Sequence, residues 1–170
     1  MKRQNLEHII RVAGAIAQSK KLIIIGSQAI LGKYPSPPDE LLVSQEVDTY
    51  PSDDPGKADL IDGSIGELSP FHEQFGYYAH GIGPGTATLP KKWRTRLIEI
   101  CNENTSGIKG LCLHPADIAV SKLAAGREKD IRYVQNLIKY KLVTKEEIAN
   151  IIHELENDLQ NIVKNRLNSF

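Results

Sequence analysis

The sequence predicts an α/β (α+β) domain: a small mixed sheet flanked by helices, followed by a helical C-terminal part. Three observations carry that class. Leu22-Ile23-Ile24-Ile25 is an apolar run of strand length that ends at a Gly26-Ser27 turn. Before it, Leu6, Ile9, Ile10, Ala13, Ile16 and Ala17 recur at helical spacing. Beyond His114 the apolar residues again follow a helical period. These patterns divide a single 170-residue domain into a helix-plus-sheet core over 1–113 and a helical part over 114–170, a length that can bury a core without disulfides or metal staples.

In chain order, a first amphipathic helix spans 5–19 and delivers the chain to the apolar strand. After Gly26-Ser27 come the first turns of a second helix, which the prolines at 35, 37 and 38 stop. A second strand is expected over 41–50. Pro51-Ser52-Asp53-Asp54-Pro55-Gly56 is turn chemistry, with Asp53 and Asp54 as turn formers. Residues 58–65 suggest a short helix and 69–74 a helical turn or loop. Strand composition follows over 75–82. Gly81-Ile82-Gly83-Pro84-Gly85 lacks dinucleotide-loop spacing, and Pro84 removes an amide donor, so it is a turn. A strand over 89–100, a turn over 102–107 and an antiparallel partner over 108–113 complete the sheet. His114-Pro115 opens a helix that Gly126 interrupts, and a further helix runs to residue 138. Thr144 and Glu147 form a capping box for one last helix, whose stripe is Ile148, Ile151, Ile152, Leu155, Leu159 and Ile162. Its polar remainder suits a helix on the outside, or one pairing with a second copy in a homodimer.

Composition narrows the function classes. A 41% hydrophobic and 25% charged chain is a globular one. No apolar run approaches the ~20 residues that span a bilayer, and Met1-Lys2-Arg3-Gln4 opens no secretion signal. Two cysteines, Cys101 and Cys112, fit a reducing, cytoplasmic setting and are expected to be small buried hydrophobes. A net charge of +0 gives no general attraction to nucleic acid. With 7 basic and 11 acidic residues over 1–90 and 14 against 10 over 91–170, however, the halves carry −4 and +4.

The chemistry gathers in two stretches. At Gly26 the backbone can approach a ligand closely, and the amides after it, with the Ser27 hydroxyl, can hold phosphate oxygens. In a strand, Glu46 and Asp48 leave the same face with Cα atoms about 6.5–7 Å apart, a pair able to share one or two Mg²⁺ ions. The second stretch is Lys122-Leu123-Ala124-Ala125-Gly126-Arg127-Glu128-Lys129-Asp130. Its ammonium and guanidinium can neutralise and grip phosphate, while Asp130 can orient Lys122 or accept a proton. His72 and His80 lack zinc spacing and are expected to be packing or surface residues.

The order strand, Gly26-Ser27, helix start, then Glu46-x-Asp48 on a strand resembles the DNA polymerase β-like nucleotidyltransferase superfamily. The Lys122-to-Asp130 run resembles the nucleotidyltransferases related to abortive-infection toxins. The resemblance covers roughly residues 22–140. It implies Gly26 and Ser27 at the triphosphate, Glu46 and Asp48 as ligands of Mg²⁺ or Mn²⁺, Lys122 and Arg127 at the nucleotide, and Asp130 completing the active site. The activity implied is transfer of a nucleoside monophosphate from a nucleoside triphosphate to an acceptor, tRNA or protein among the candidates, with a cognate toxin–antitoxin partner possible. The chain departs from the pattern in three places. Glu46 stands where Asp is more usual, Tyr133 replaces a further Asp, and the strand over 75–82 has no third acid, for which only Asp62 or Glu73 could substitute. These departures keep open a non-catalytic binding or antitoxin-like module on the same fold, and a metal-dependent phosphohydrolase using the same carboxylates.

Overall fold

The computed structural model describes all 170 residues. The strand β1 (Lys21–Ile25) is central in a five-stranded mixed sheet of order β3-β2-β1-β5-β4. It runs antiparallel to β2 (Glu46–Pro51) and parallel to β5 (Lys109–Cys112). At the edges, β3 (Tyr78–Gly81) joins β2 in parallel and β4 (Ile98–Ile100) pairs with β5 antiparallel. Leu22, Ile23, Ile24 and Ile25 are all buried, the unbroken apolar pattern of a strand covered on both faces.

One face belongs to α1 (Arg3–Ala17), whose Leu6, Ile9, Ile10, Ala13 and Ala17 are buried. The approach is close: a Cβ on Gly110, which pairs with Leu22, would stand 2.3 Å from Ile10 Cδ1. The short helices α2 (Ala58–Ile65) and α3 (Pro70–Phe75) lead into β3. Side chains of the opposite face are set by register. Ile25 stands opposite Asp48, and Asp48 opposite His80, so these three leave the sheet on the side away from Leu22 and Ile24.

The helical part holds α4 (Pro115–Ala125), α5 (Glu128–Lys139), α6 (Lys145–Ile152) and α7 (Asn157–Asn168). His114 caps α4 through Nδ1, and Gly126, at φ +69°, ends it in the left-handed conformation. The arginine Arg166 of α7 donates to the Leu123 and Ala124 carbonyls at 2.5 and 2.9 Å, placing a cation at the carbonyl end of α4. At the other end of α4, the buried Asp117 takes two hydrogen bonds from Arg96, which also bonds both oxygens of Glu154.

Several sequence expectations are corrected. The segment after Gly26 is a 3-10 turn (Ser27–Gly32), not an α-helix. Residues 41–45 are outside β2, and Val43 is exposed. The strand expected over 75–82 is shortened because Phe75 closes α3 against a left-handed Gly76. Of 89–100 only Ile98–Ile100 is strand: Trp93–Arg96 is a 3-10 turn that carries Arg96 to Asp117 and Glu154. The single last helix is two, broken where Glu154 turns in to accept from Arg96 and from the Lys92 amide. Both cysteines are free, but Cys101 is exposed and only Cys112 is buried. No helix is long and apolar enough to cross a membrane.

Candidate active site

A cleft of about 880 Å³ opens on the sheet face that carries Asp48, between the strand edge and helices α4 and α5. Its wall includes Gly26, Ser27, Glu46, Asp48, Lys122, Arg127 and Asp130, so the two sequence motifs converge.

At the sheet side, Gly26 adopts φ +73°, and a Cβ there would lie 2.3 Å from Asp48 Oδ2. Glycine is thus required twice, by the backbone conformation and by the carboxylate pressed against it. Glu46 and Asp48 point into the cleft together, as a strand's two-residue period dictates. Across on β3, Tyr78 donates its hydroxyl to Glu46 Oε2 at 3.0 Å, and His80 Nδ1 lies 3.2 Å from Asp48 Oδ1 and 3.8 Å from Glu46 Oε1. Burial, then the negative charge of Glu46, push the Asp48 carboxyl up to about 6.

The helical side is organised differently. Asp130, only 1% exposed, accepts from Lys122 Nζ at 2.9 Å and from Arg127 Nε at 2.6 Å. Burial alone would raise its carboxyl, but the hydrogen bonds and charges of Arg127 and Lys122 outweigh it and hold the group below the usual carboxylate range. Each Asp130 oxygen thus accepts from one of the two cations, an arrangement that holds the Lys122 ammonium in place. Lys122 also stands over the Tyr133 ring, 4.7 Å from its centroid. The Tyr133 hydroxyl donates to the Ser27 carbonyl at 2.7 Å, tying α5 to the glycine-serine turn. Tyr133, read from sequence as the place of a missing ligand, is therefore the strut between the two motifs.

Neither proposed substitute for a third acid is in the cleft. Asp62 is engaged by the Gly81 amide at 3.1 Å, and Glu73 is not part of the wall. His80, expected at the surface or in packing, is exposed, and its imidazole stands beside the acidic pair. One ligand atom each from Glu46, Asp48 and His80 lie within 4.8 Å of one another. Ligands about 2.0–2.2 Å from an octahedral cation stand about 3–4.4 Å apart, so small side-chain rotations would bring the three onto one ion. The donor set fits a divalent cation. Its sequence signal was the shared x-residue spacing: Tyr78 and His80 repeat on β3 the alternation of Glu46 and Asp48 on β2, but pairing those strands requires the fold.

A glycine-serine turn, paired carboxylates and a lysine held by Asp130 thus surround one cleft. The chain belongs to a family described as nucleotidyltransferase of unknown function (DUF6036), whose family model matches residues 4–169. No curated protein and no solved structure gave a significant match.

Proposed function

We propose that this protein is a metal-dependent nucleotidyltransferase that moves a nucleoside monophosphate from a nucleoside triphosphate to an acceptor hydroxyl. The observation that carries the reading is the convergence of Gly26-Ser27, Glu46-x-Asp48 and Lys122 on one cleft, in a chain of a nucleotidyltransferase family. Gly26 and Ser27 seat the triphosphate at the turn. Glu46 and Asp48 would hold Mg²⁺ or Mn²⁺, which supplies charge neutralisation to the phosphates when bound. Lys122, aimed by Asp130, faces the phosphate oxygens as a fixed cation, and the more exposed Arg127 adds a forked grip. The acceptor hydroxyl oxygen forms the new bond to the α-phosphorus while the bond from that phosphorus to the α,β-bridging oxygen breaks, the hydroxyl proton passing to solvent and pyrophosphate leaving.

A tRNA or protein acceptor, and a cognate partner protein in a toxin–antitoxin setting, rest on the family resemblance alone. The second reading, a non-catalytic nucleotide-binding or regulatory module, is favoured by one observation: a histidine stands where a third carboxylate would be expected. Transfer of labelled nucleotide decides between them. Wild-type protein transfers label and releases pyrophosphate while Asp48→Ala, folded by circular dichroism, does neither. A wild type that binds triphosphate without metal and releases no pyrophosphate is the module, and one that consumes nucleotide while labelling no acceptor is a phosphohydrolase.

A further inference from the structure

The buried acids elsewhere in the molecule each face a fixed cation: Glu7 has Arg3, Asp117 and Glu154 share Arg96, and Asp130 has Lys122 and Arg127. Glu46 and Asp48 have no lysine or arginine within 4.0 Å, and their one ion-pair partner is His80. Two like charges at a cleft floor are thus left facing a group that can ligate a metal through nitrogen. The placement is set by the backbone, because His80 and Asp48 occupy directly opposed positions on adjacent parallel strands. Tyr78 takes up Oε2 of Glu46 and leaves Oε1 toward the imidazole, the outer hydrogen bond that orients a ligating carboxylate.

We infer that His80 is the third protein ligand of the metal site and makes it selective for Mn²⁺ over Mg²⁺. The inference rests on the proposed function for the metal itself and goes beyond it in the donor set and the ion. Mg²⁺ takes hard oxygen ligands and gives up water reluctantly. Mn²⁺ lies between the hard cations and the imidazole-binding transition metals and keeps the octahedral geometry that two carboxylates and open positions suit. An Asp at this position would complete an all-oxygen site, whereas a His adds a neutral nitrogen donor and one negative charge fewer.

The test uses the full chain without nucleotide or acceptor, so its outcome is independent of turnover. Titration calorimetry with MnCl₂ and with MgCl₂ is expected to show Mn²⁺ bound more tightly by the wild type. His80→Ala should weaken Mn²⁺ by about tenfold and leave Mg²⁺ nearly unchanged, while His80→Asp should reverse the preference. Pulsed electron paramagnetic resonance of the Mn²⁺-loaded wild type should show coupling to a nitrogen nucleus, lost in His80→Ala. Absent nitrogen coupling, an unchanged Mn²⁺-to-Mg²⁺ ratio in His80→Ala, or no Mn²⁺ binding by the wild type overturns the inference. Asp48→Asn separates the two readings: loss of both cations there with no effect of the His80 variants leaves the carboxylate site standing and removes only the histidine.

Discussion

The two walls of the cleft handle charge in opposite ways. On the helical wall, the buried Asp130 is paired with both Lys122 and Arg127. On the sheet wall, Glu46 and Asp48 repel each other, and only a half-exposed histidine stands against them. A pair satisfied within the protein contributes to holding the fold; a pair left unsatisfied destabilises the empty protein and is available to a ligand. The acid of the helical wall is therefore the finished side, balanced within the protein, and the acids of the sheet wall are left unbalanced.

The sharpest way to break that contrast is to remove the buried partner on the finished side. Asp130→Ala leaves Lys122 without its counter-charge, and chemical denaturation should show a loss of about 3–5 kcal/mol. On the other wall a similar truncation should do the reverse. Asp48→Asn removes a carboxylate held well above its ordinary value, and at pH 7–8 the metal-free variant should be more stable than wild type by about 1–3 kcal/mol. The pH dependence has a fixed sign. Because the folded-state value of Asp48 is raised from 3.8 to about 6, its favourable contribution is complete below pH 3.8 and lost as pH rises through about 6. Asp130, lowered from 3.8, contributes above that pH and loses its contribution as pH falls through its folded value. Urea midpoints across pH should therefore show the Asp48→Asn advantage vanishing in acid; an advantage constant with pH would mean that the carboxylate is not the source.

Between the walls, Gly26→Ala must force a left-handed φ and push the Asp48 carboxylate aside, at about 1–2 kcal/mol of stability. Calorimetry on that variant should also show weakened metal binding. The smallest effect expected is that of Tyr133→Phe, which removes the hydroxyl bond to the Ser27 carbonyl and keeps the ring under Lys122. A loss of about 1 kcal/mol is expected, with triphosphate affinity falling more than metal affinity, because the turn loosens while the acids stay in place.

The parts legible in sequence were those whose signal is local. The apolar run at 22–25, the two-residue period of Glu46 and Asp48, and the Pro115 and Gly126 boundaries of α4 need no distant partner to be read, and each stands as expected. What could not be read was decided by contacts between remote residues. The break in the last helix has no proline or glycine to announce it: Glu154 leaves the helical path to reach Arg96, 58 positions away. His80 belongs to the acidic pair because β3 aligns parallel to β2, a register with no trace in either segment alone. Tyr133 looked like a substitution that had lost a ligand, since a hydroxyl bond to a carbonyl 106 residues distant cannot be inferred from its neighbours.

The arginine that closes α4 has a consequence for how much of the chain the cleft requires. Arg166 lies outside the cleft wall, yet its guanidinium sits within van der Waals overlap of where a Gly126 side chain would be and grips the carbonyls at the exit of the helix bearing Lys122. Trimming the tail ahead of Arg166 would spare every residue of the cleft wall and still unmoor the helix that bears the ammonium, so this stretch acts as a buttress whose removal would disturb the cleft from a distance.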